Sequence, residues 1–126
     1  EKIINWKGWI NNIDSVLNET DIICLPSYRE GLPKALIEGA AFGLPIVTTD
    51  TVGCRDVVED GVNGFLVPIK NVDELVDKLS QLIKNKTLRK KMGRESYKIA
   101  LSKFSSSIIN AQTLKLYDEL FFEINN

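Results

Sequence analysis

Three short apolar runs, each bordered by a proline, alternate along this chain with segments of helical period, and that alternation restricts the fold more than any other feature. Asp21-Ile-Ile-Cys-Leu25 stops at Pro26, Ile46 to Thr49 follows Pro45, and Phe65 to Val67 stops at Pro68. Continuous apolar runs of this length suit strands buried on both faces, and the bordering prolines keep them short. Between the first two runs, Pro33 through Phe42 is rich in Ala, Leu and Ile with proline at its front, the pattern of a buried helix that Gly43 ends. After the third, Val72, Leu75, Val76, Leu79, Leu82 and Ile83 recur at amphipathic spacing, with Asn71 and Glu74 set as a capping box. Further helices are expected at about Thr87 to Lys103 and Ser106 to Phe122, and upstream Ile3 to Trp6 reads as a strand and Ile10, Ile13, Val16 and Leu17 as a helix. Strands alternating with helices predict an α/β layer fold of three to four parallel strands flanked by helices, with ligands beyond the carboxyl ends of the strands. No repeat or linker divides the chain, so residues 1–126 read as one partial domain, a short version of a doubly wound unit.

Composition removes several kinds of chemistry. With 16 basic against 17 acidic side chains there is no field to gather nucleic acid, so no nucleic-acid partner is expected. The chain has no histidine, which excludes a Ser-His-Asp or Cys-His nucleophile, an imidazole base and any His-containing metal site within these residues. Cys24 and Cys54 are too few for a disulfide framework and form no Cys-x-x-Cys, so a reducing, cytoplasmic compartment is expected. No run approaches the roughly 18 apolar residues of a spanning helix. The chain starts at Glu1 and its one methionine is Met92, so it is read as a piece of a longer protein.

The residues with chemical content follow Leu25, in PSYREGLPKALIEGAAFGLP. Glu30 lies in the loop and Glu38 on the helix, seven residues apart in between. If Pro33 is the first helical residue, Leu32 is the N-cap and has no side-chain acceptor, so the amides of Lys34, Ala35 and Leu36 are left open. An apolar cap beyond a strand's carboxyl end is an unfilled anion site, where dipole and amides both favour a phosphate. Gly31 removes a side chain where a ligand would approach the backbone. Two carboxylates beside a phosphate would serve by accepting hydrogen bonds from hydroxyl groups that flank it, which describes a sugar nucleotide. The other reading stays open on spacing alone: Glu30 caps the helix from outside, Glu38 pairs with a nearby cation, and Gly31 and Pro33 only shape the turn.

PSYREGLPKALIEGAAFGLPIV resembles the signature of the retaining glycosyltransferases of the GT-B architecture, in which two glutamates are separated by seven residues. NWKGWINNIDSVLNETDIICLPS is similar to that family's strand, glycine, helix and second strand, and TTDTVGCRDVVEDGVNGFLVP to its next loop and strand. The likeness runs from about residue 3 to 84, and the GCRD stretch at Gly53 to Asp56 is similar to a variant met in bacterial enzymes that build capsule, lipopolysaccharide and other surface glycans. The resemblance implies a truncated Rossmann-like, carboxyl-terminal domain that binds a sugar nucleotide. In it, Glu30 would act as the catalytic carboxylate on the donor sugar, with the Gly31 and Leu32 backbone close to that sugar. The Lys34 and Ala35 amides would meet the diphosphate, and Glu38 would hold the ribose hydroxyls. Val52 stands where many relatives have a second glycine and Asp56 where most have Glu, so that loop is given no ligand contact. The resemblance further implies a separate amino-terminal acceptor domain carrying a histidine, and an isolated fragment that is inactive. No Asp-x-Asp occurs, so no metal and no cofactor beyond the donor substrate are expected.

Other features carry two readings each. From Lys84 to Lys103 the chain holds Lys84, Lys86, Arg89, Lys90, Lys91, Arg94, Lys98 and Lys103 against one acid, Glu95: a solvated helix face, or a site for the anionic surface of a membrane. Trp6, Trp9 and Tyr28 are expected in core or edge packing, Cys54 in local packing, and Arg55 as a solvated or ion-paired cation. Tyr117, Leu120, Phe121 and Ile124 form an apolar stripe. In the strand order 3-2-1-4-5-6 the segment near Ile3 is the third strand and Ile22 to Leu25 the fourth, so the fourth has a bare edge here. Either Ile3 to Trp6 pairs with it directly or, the favoured outcome, two copies of the chain associate as a homodimer through that edge or the C-terminal stripe. A non-catalytic α/β interaction module remains the alternative function. A dinucleotide-binding oxidoreductase is disfavoured because no Gly-x-Gly-x-x-Gly occurs.

Overall fold

A computed structural model describes residues 3–29 and 31–104. Glu30, the helix expected at Ser106 to Phe122 and the stripe from Tyr117 to Ile124 lie outside the described residues. The elements run α1 (Ile13–Leu17), β1 (Ile23–Leu25), α2 (Lys34–Ala41), β2 (Ile46–Thr49), α3 (Val52–Arg55), β3 (Gly64–Val67), α4 (Val72–Lys84) and α5 (Lys86–Phe104). The three strands form one parallel sheet in the order β1-β2-β3, with Ile23 beside Ile46 and Ile46 beside Gly64. This is the expected α/β architecture of parallel strands flanked by helices.

Side chains alternate across the sheet as strand geometry requires. Ile46, with Leu66, Ile23 and Leu25, faces Leu36, Ile37, Ala40 and Ala41 of α2 and Ala100 and Phe104 of α5. Val47, Phe65 and Val67 face Leu75, Leu79 and Leu82 of α4, together with Met92 of α5. All four residues of β2 are buried, and only this strand meets the expectation of burial on both faces. In β1, Ile23 and Leu25 are half-buried and Cys24 is exposed. The reason is position: β1 is an edge strand with α2 on one face and, among the described residues, little on the other.

The upstream strand is corrected. Ile3 to Trp6 is not a strand and does not pair with β1; Ile3, Ile4, Trp6 and Trp9 stand almost fully exposed. Among the described residues one face of β1 is left largely uncovered, so a strand added beyond it would find no layer for its side chains. Its burial would not offset roughly 1 to 2 kcal/mol per residue of ordering entropy. The tryptophans therefore miss the expected core packing, and Trp9 Nε1 donates locally to Asn11 Oδ1 at 2.9 Å.

Two buried groups fix the amino ends of the strands. Asn63 is fully buried; its Nδ2 donates to the Val57 carbonyl at 3.1 Å and its Oδ1 accepts from the Glu59 amide at 2.8 Å, closing the turn before β3. Ser96 of α5 donates to the Asn63 carbonyl at 3.3 Å. Gly93, one turn earlier, packs against the loop before β2, where a Cβ would sit 2.1 Å from the Gly43 carbonyl oxygen. α5 thus passes along the amino ends of β2 and β3, from the α4 layer to the α2 layer. At α4 one half of the expected capping box forms, Asn71 Oδ1 accepting from the Glu74 amide at 3.0 Å, while the Asn71 amide donates to the Pro68 carbonyl at 3.2 Å instead of to the Glu74 side chain. Its carboxyl end is closed by Arg89, whose Nη1 donates to the Leu82 and Ile83 carbonyls at 2.7 and 2.8 Å.

Gly93→Ala is expected to destabilise the domain by about 1 to 3 kcal/mol, because its neighbour is rigid backbone and the overlap outweighs the roughly 1 kcal/mol gained in helix propensity. A urea midpoint that falls with unchanged slope measures this; an unchanged midpoint would show that α5 does not approach so closely.

Candidate functional site

The carboxyl ends of the three strands lie together, and the hydroxyls of β2 organise the chain around them. Thr48 Oγ1 donates to the Leu25 carbonyl at 2.7 Å and approaches Cys54 Sγ at 3.2 Å. Thr49 Oγ1 donates to the Ser27 carbonyl. These bonds tie the chain leaving β1, Pro26 to Ser27, onto the central strand, so the loop toward residue 30 starts from a fixed point. The sequence reading missed both threonines; the available signal was two hydroxyl residues in a strand otherwise built for burial.

α2 begins one residue later than expected. Pro33, not Leu32, is the N-cap, with φ −77° and ψ 99°, and no side chain caps it. Proline has no amide of its own, and its ring holds φ where the chain can enter the helix. The Pro33 carbonyl accepts from the Leu36 amide at 3.0 Å and the Ile37 amide at 3.2 Å. The Leu36 amide, expected to be open, is therefore satisfied. Those of Lys34 and Ala35 have no acceptor among the described residues, and both residues are exposed. At Gly31 an added Cβ would meet nothing within 4 Å. The protein's own packing does not require glycine there.

Glu38 lies one turn further on, half-buried on α2. Burial pushes its carboxyl above the ordinary value; Lys34, one turn earlier, opposes this and Asp14 of α1 adds to it. Its carboxylate has no hydrogen bond or ion pair within contact distance among the described residues, and the nearby cation, Lys34, acts on it only through its charge. The structure thus brings Gly31, Leu32, Lys34, Ala35 and Glu38 to one edge of the α2 layer, with Leu32 exposed, two amides open among the described residues and a carboxylate whose partial burial Lys34 only partly offsets. Perturbed carboxyls without a structural partner concentrate at functional sites.

On the α4 side of the same strand ends, Pro26, Tyr28, Thr49, Val67, Asn71 and Leu75 line a cavity of about 220 Å³. Tyr28 is exposed rather than packed in the core, and Lys70 Nζ sits 5.4 Å above its ring, within cation–π range. Lys70 has φ 64°, in the left-handed region that a lysine seldom adopts. After β2, the stretch expected as loop contains the helical turn α3. There Cys54 is buried in the core and Arg55 pairs with Asp50 at 2.6 Å, the roles expected of both. Thr51, which caps this turn, has a buried hydroxyl with no partner among the described residues. Among those residues no group of three or more acidic or cysteine side chains could hold a metal.

Comparisons with known proteins place this geometry in context. A family model described as "Glycosyl transferases group 1" matches residues 1–99. The chain is 32% identical over 117 residues to N,N'-diacetylbacillosaminyl-diphospho-undecaprenol alpha-1,3-N-acetylgalactosaminyltransferase of Campylobacter jejuni, covering 93% of this chain and 31% of that protein. It is 31% identical over 109 residues to the capsular polysaccharide biosynthesis glycosyltransferase CapM of Staphylococcus aureus, covering 86% of this chain and 29% of that one. A mutant of S. aureus TarM, solved in complex with fondaparinux, alpha-GlcNAc-glycerol and UDP, superposes with a TM-score of 0.77 at 28% identity, over 88% of this chain and 23% of that chain. The chain spans less than a third of the length of these relatives.

The Glu38 carboxyl titrates at its ordinary value when unfolded and higher when folded, so in that window the native state holds more proton and stability falls as pH rises. Above the window the charge carries its full desolvation cost. Glu38→Gln is therefore expected to be more stable than wild type at neutral pH, with the gain vanishing below the ordinary carboxylate range. Urea midpoints at acid and neutral pH test this, and a variant less stable than wild type at neutral pH would contradict it.

Proposed function

The chain belongs to the glycosyl transferases group 1 family, whose members similar to it are named for bacterial surface-polysaccharide synthesis, and on that premise we propose that it binds the sugar-nucleotide donor of a retaining hexosyltransferase. The observation that carries this reading is the coincidence, on the first two turns of α2, of two open amides and an unpartnered, desolvated carboxylate. An anion is stabilised by those amides and by the helix dipole, whereas the carboxylate needs hydroxyl donors. A nucleoside diphosphate sugar supplies both, the diphosphate against Lys34 and Ala35 and the ribose hydroxyls against Glu38. The open space at Gly31 leaves room for the sugar beside the Gly31 and Leu32 backbone.

In the reaction so proposed, the bond from the anomeric carbon to the diphosphate oxygen breaks as a bond to the acceptor oxygen forms on the same face. The acceptor's proton departs with the diphosphate. The α2 amides lower the barrier by stabilising charge that grows on the leaving oxygen, a task for pre-aligned donors. Glu30 is assigned to the donor sugar's hydroxyls on the strength of the motif. The acceptor site belongs to a further domain, so this chain alone binds donor without turning it over. Cytoplasmic work suits its two free cysteines, one of them buried in the core.

In a protein that contains this chain, Glu38→Ala is expected to raise KM and Glu30→Gln to lower kcat. Each change is about tenfold to a hundredfold, as charged hydrogen bonds are worth roughly 1.5 to 3 kcal/mol. Wild-type kinetics in both variants would remove the assignment. Gly31→Ala should leave the urea midpoint unchanged yet weaken donor binding in a calorimetric titration against a panel of nucleoside diphosphate sugars. Indifference of the wild-type chain to every nucleotide would favour an interaction module instead.

A further inference from the structure

We propose that the outward face of α5 is a docking surface for an anionic bilayer, a property separate from donor binding. α5 turns Met92, Gly93, Ser96 and Ala100 into the core. Lys90, Arg94 and Lys98 recur at every fourth position away from that face, with Lys91 beside them and Lys86 one turn earlier at the edge toward Gly43 to Pro45, and all five are exposed. At 1.5 Å per residue this row is about 18 Å long. Glu95, the helix's one acid, lies at the border of the row and pairs with Lys98 at 3.1 Å. Among the described residues Lys86, Lys90, Lys91 and Arg94 have no ion-pair partner. Arg89 is excluded from the row because it is turned back onto the carbonyls of α4. The fold therefore separates one structural cation, Arg89, from a row of five in which Lys98 alone is paired.

Charge complementarity identifies the occupant. The chain as a whole carries a net charge of −1, so it has no broad field for nucleic acid, yet five of its 16 basic residues stand together on one helix with a single acid among them. Such a row fits a plane of anionic headgroups, each cation near the surface strengthening attachment about fivefold. Leu101, 38% exposed, falls on the same side and gives the row an apolar contact. No helix among the described residues is long and apolar enough to cross a membrane, so attachment through this face would be peripheral. The relative from C. jejuni is named for an acceptor on diphospho-undecaprenol, a polyprenol carrier.

Co-sedimentation of the chain with vesicles of phosphatidylethanolamine and phosphatidylglycerol, against phosphatidylcholine alone, tests the proposal. Binding is expected only to the anionic vesicles and is lost at high salt. Lys90→Gln/Arg94→Gln should weaken it about twenty-five-fold, whereas Lys7→Glu, with the same change in net charge at another exposed site, should not. Should the double variant lose its circular dichroism, Lys86→Gln/Lys91→Gln takes its place. No preference for anionic vesicles, equal loss in the row variant and Lys7→Glu, or displacement from vesicles by a short DNA duplex would each overturn the proposal. A sugar-nucleotide titration unchanged in the row variant keeps its outcome distinct from that of donor binding.

Discussion

Complete burial of β2 between two helical layers is the constraint on which the remaining structure depends. A strand covered on both faces must carry apolar side chains toward each, which Ile46 and Val47 do, and must satisfy every polar atom it brings inside. Thr48 and Thr49 meet that demand by donating to carbonyls of Leu25 and Ser27. The same bonds fix the direction in which the chain leaves β1. The loop that precedes α2 is thereby anchored by the interior of the sheet, and the position of the helix's open end depends on how a neighbouring strand satisfies its polar atoms.

α2 shows a conflict between stability and the capacity to bind. Its inner face, Leu36, Ile37, Ala40 and Ala41, is fully buried. Gly39 lets it lie close on β1, where an added Cβ would come 2.6 Å from Ile23. Its first turn gives up a side-chain cap that would be worth roughly 0.5 to 2 kcal/mol. Its second turn keeps a carboxylate in a place that disfavours its charge. Both concessions fall at the carboxyl edge of the sheet and are absent from α4, where Asn71 caps the helix from its side chain. The departures from local rules, with the uncapped α3, the buried Thr51 hydroxyl and Lys70 at positive φ, gather in the segments that follow the carboxyl ends of the strands, where a ligand would restore missing interactions.

Much of this was legible in the sequence because it depends on local pattern. The apolar runs gave β2 and β3 within a residue, Asn71 gave the start of α4, and the PSYREGLPKALIEG stretch gave both the glutamates and the family. The N-cap was placed one residue early because proline suits either position and the choice rests on the φ and ψ of the turn. The exposure of Trp6 and Trp9 was not legible, since an apolar residue is buried only if the fold supplies a layer to cover it.

What the sequence by itself determined is the order of strands and helices from α1 to α5, the short turn α3 apart, the shortage of groups for nucleophilic or metal chemistry, and the motif with its spacing. Periodicity, composition and register along the chain are one-dimensional properties, and those conclusions need nothing more. Only the tertiary structure decided that Thr48 and Thr49 hold the loop, that Glu38 is desolvated beside Asp14, and that Arg89 caps α4 while Lys90 and Arg94 face outward. Each of these depends on which element passes beside which, and adjacency in space is set by the packing of the two helical layers on β2.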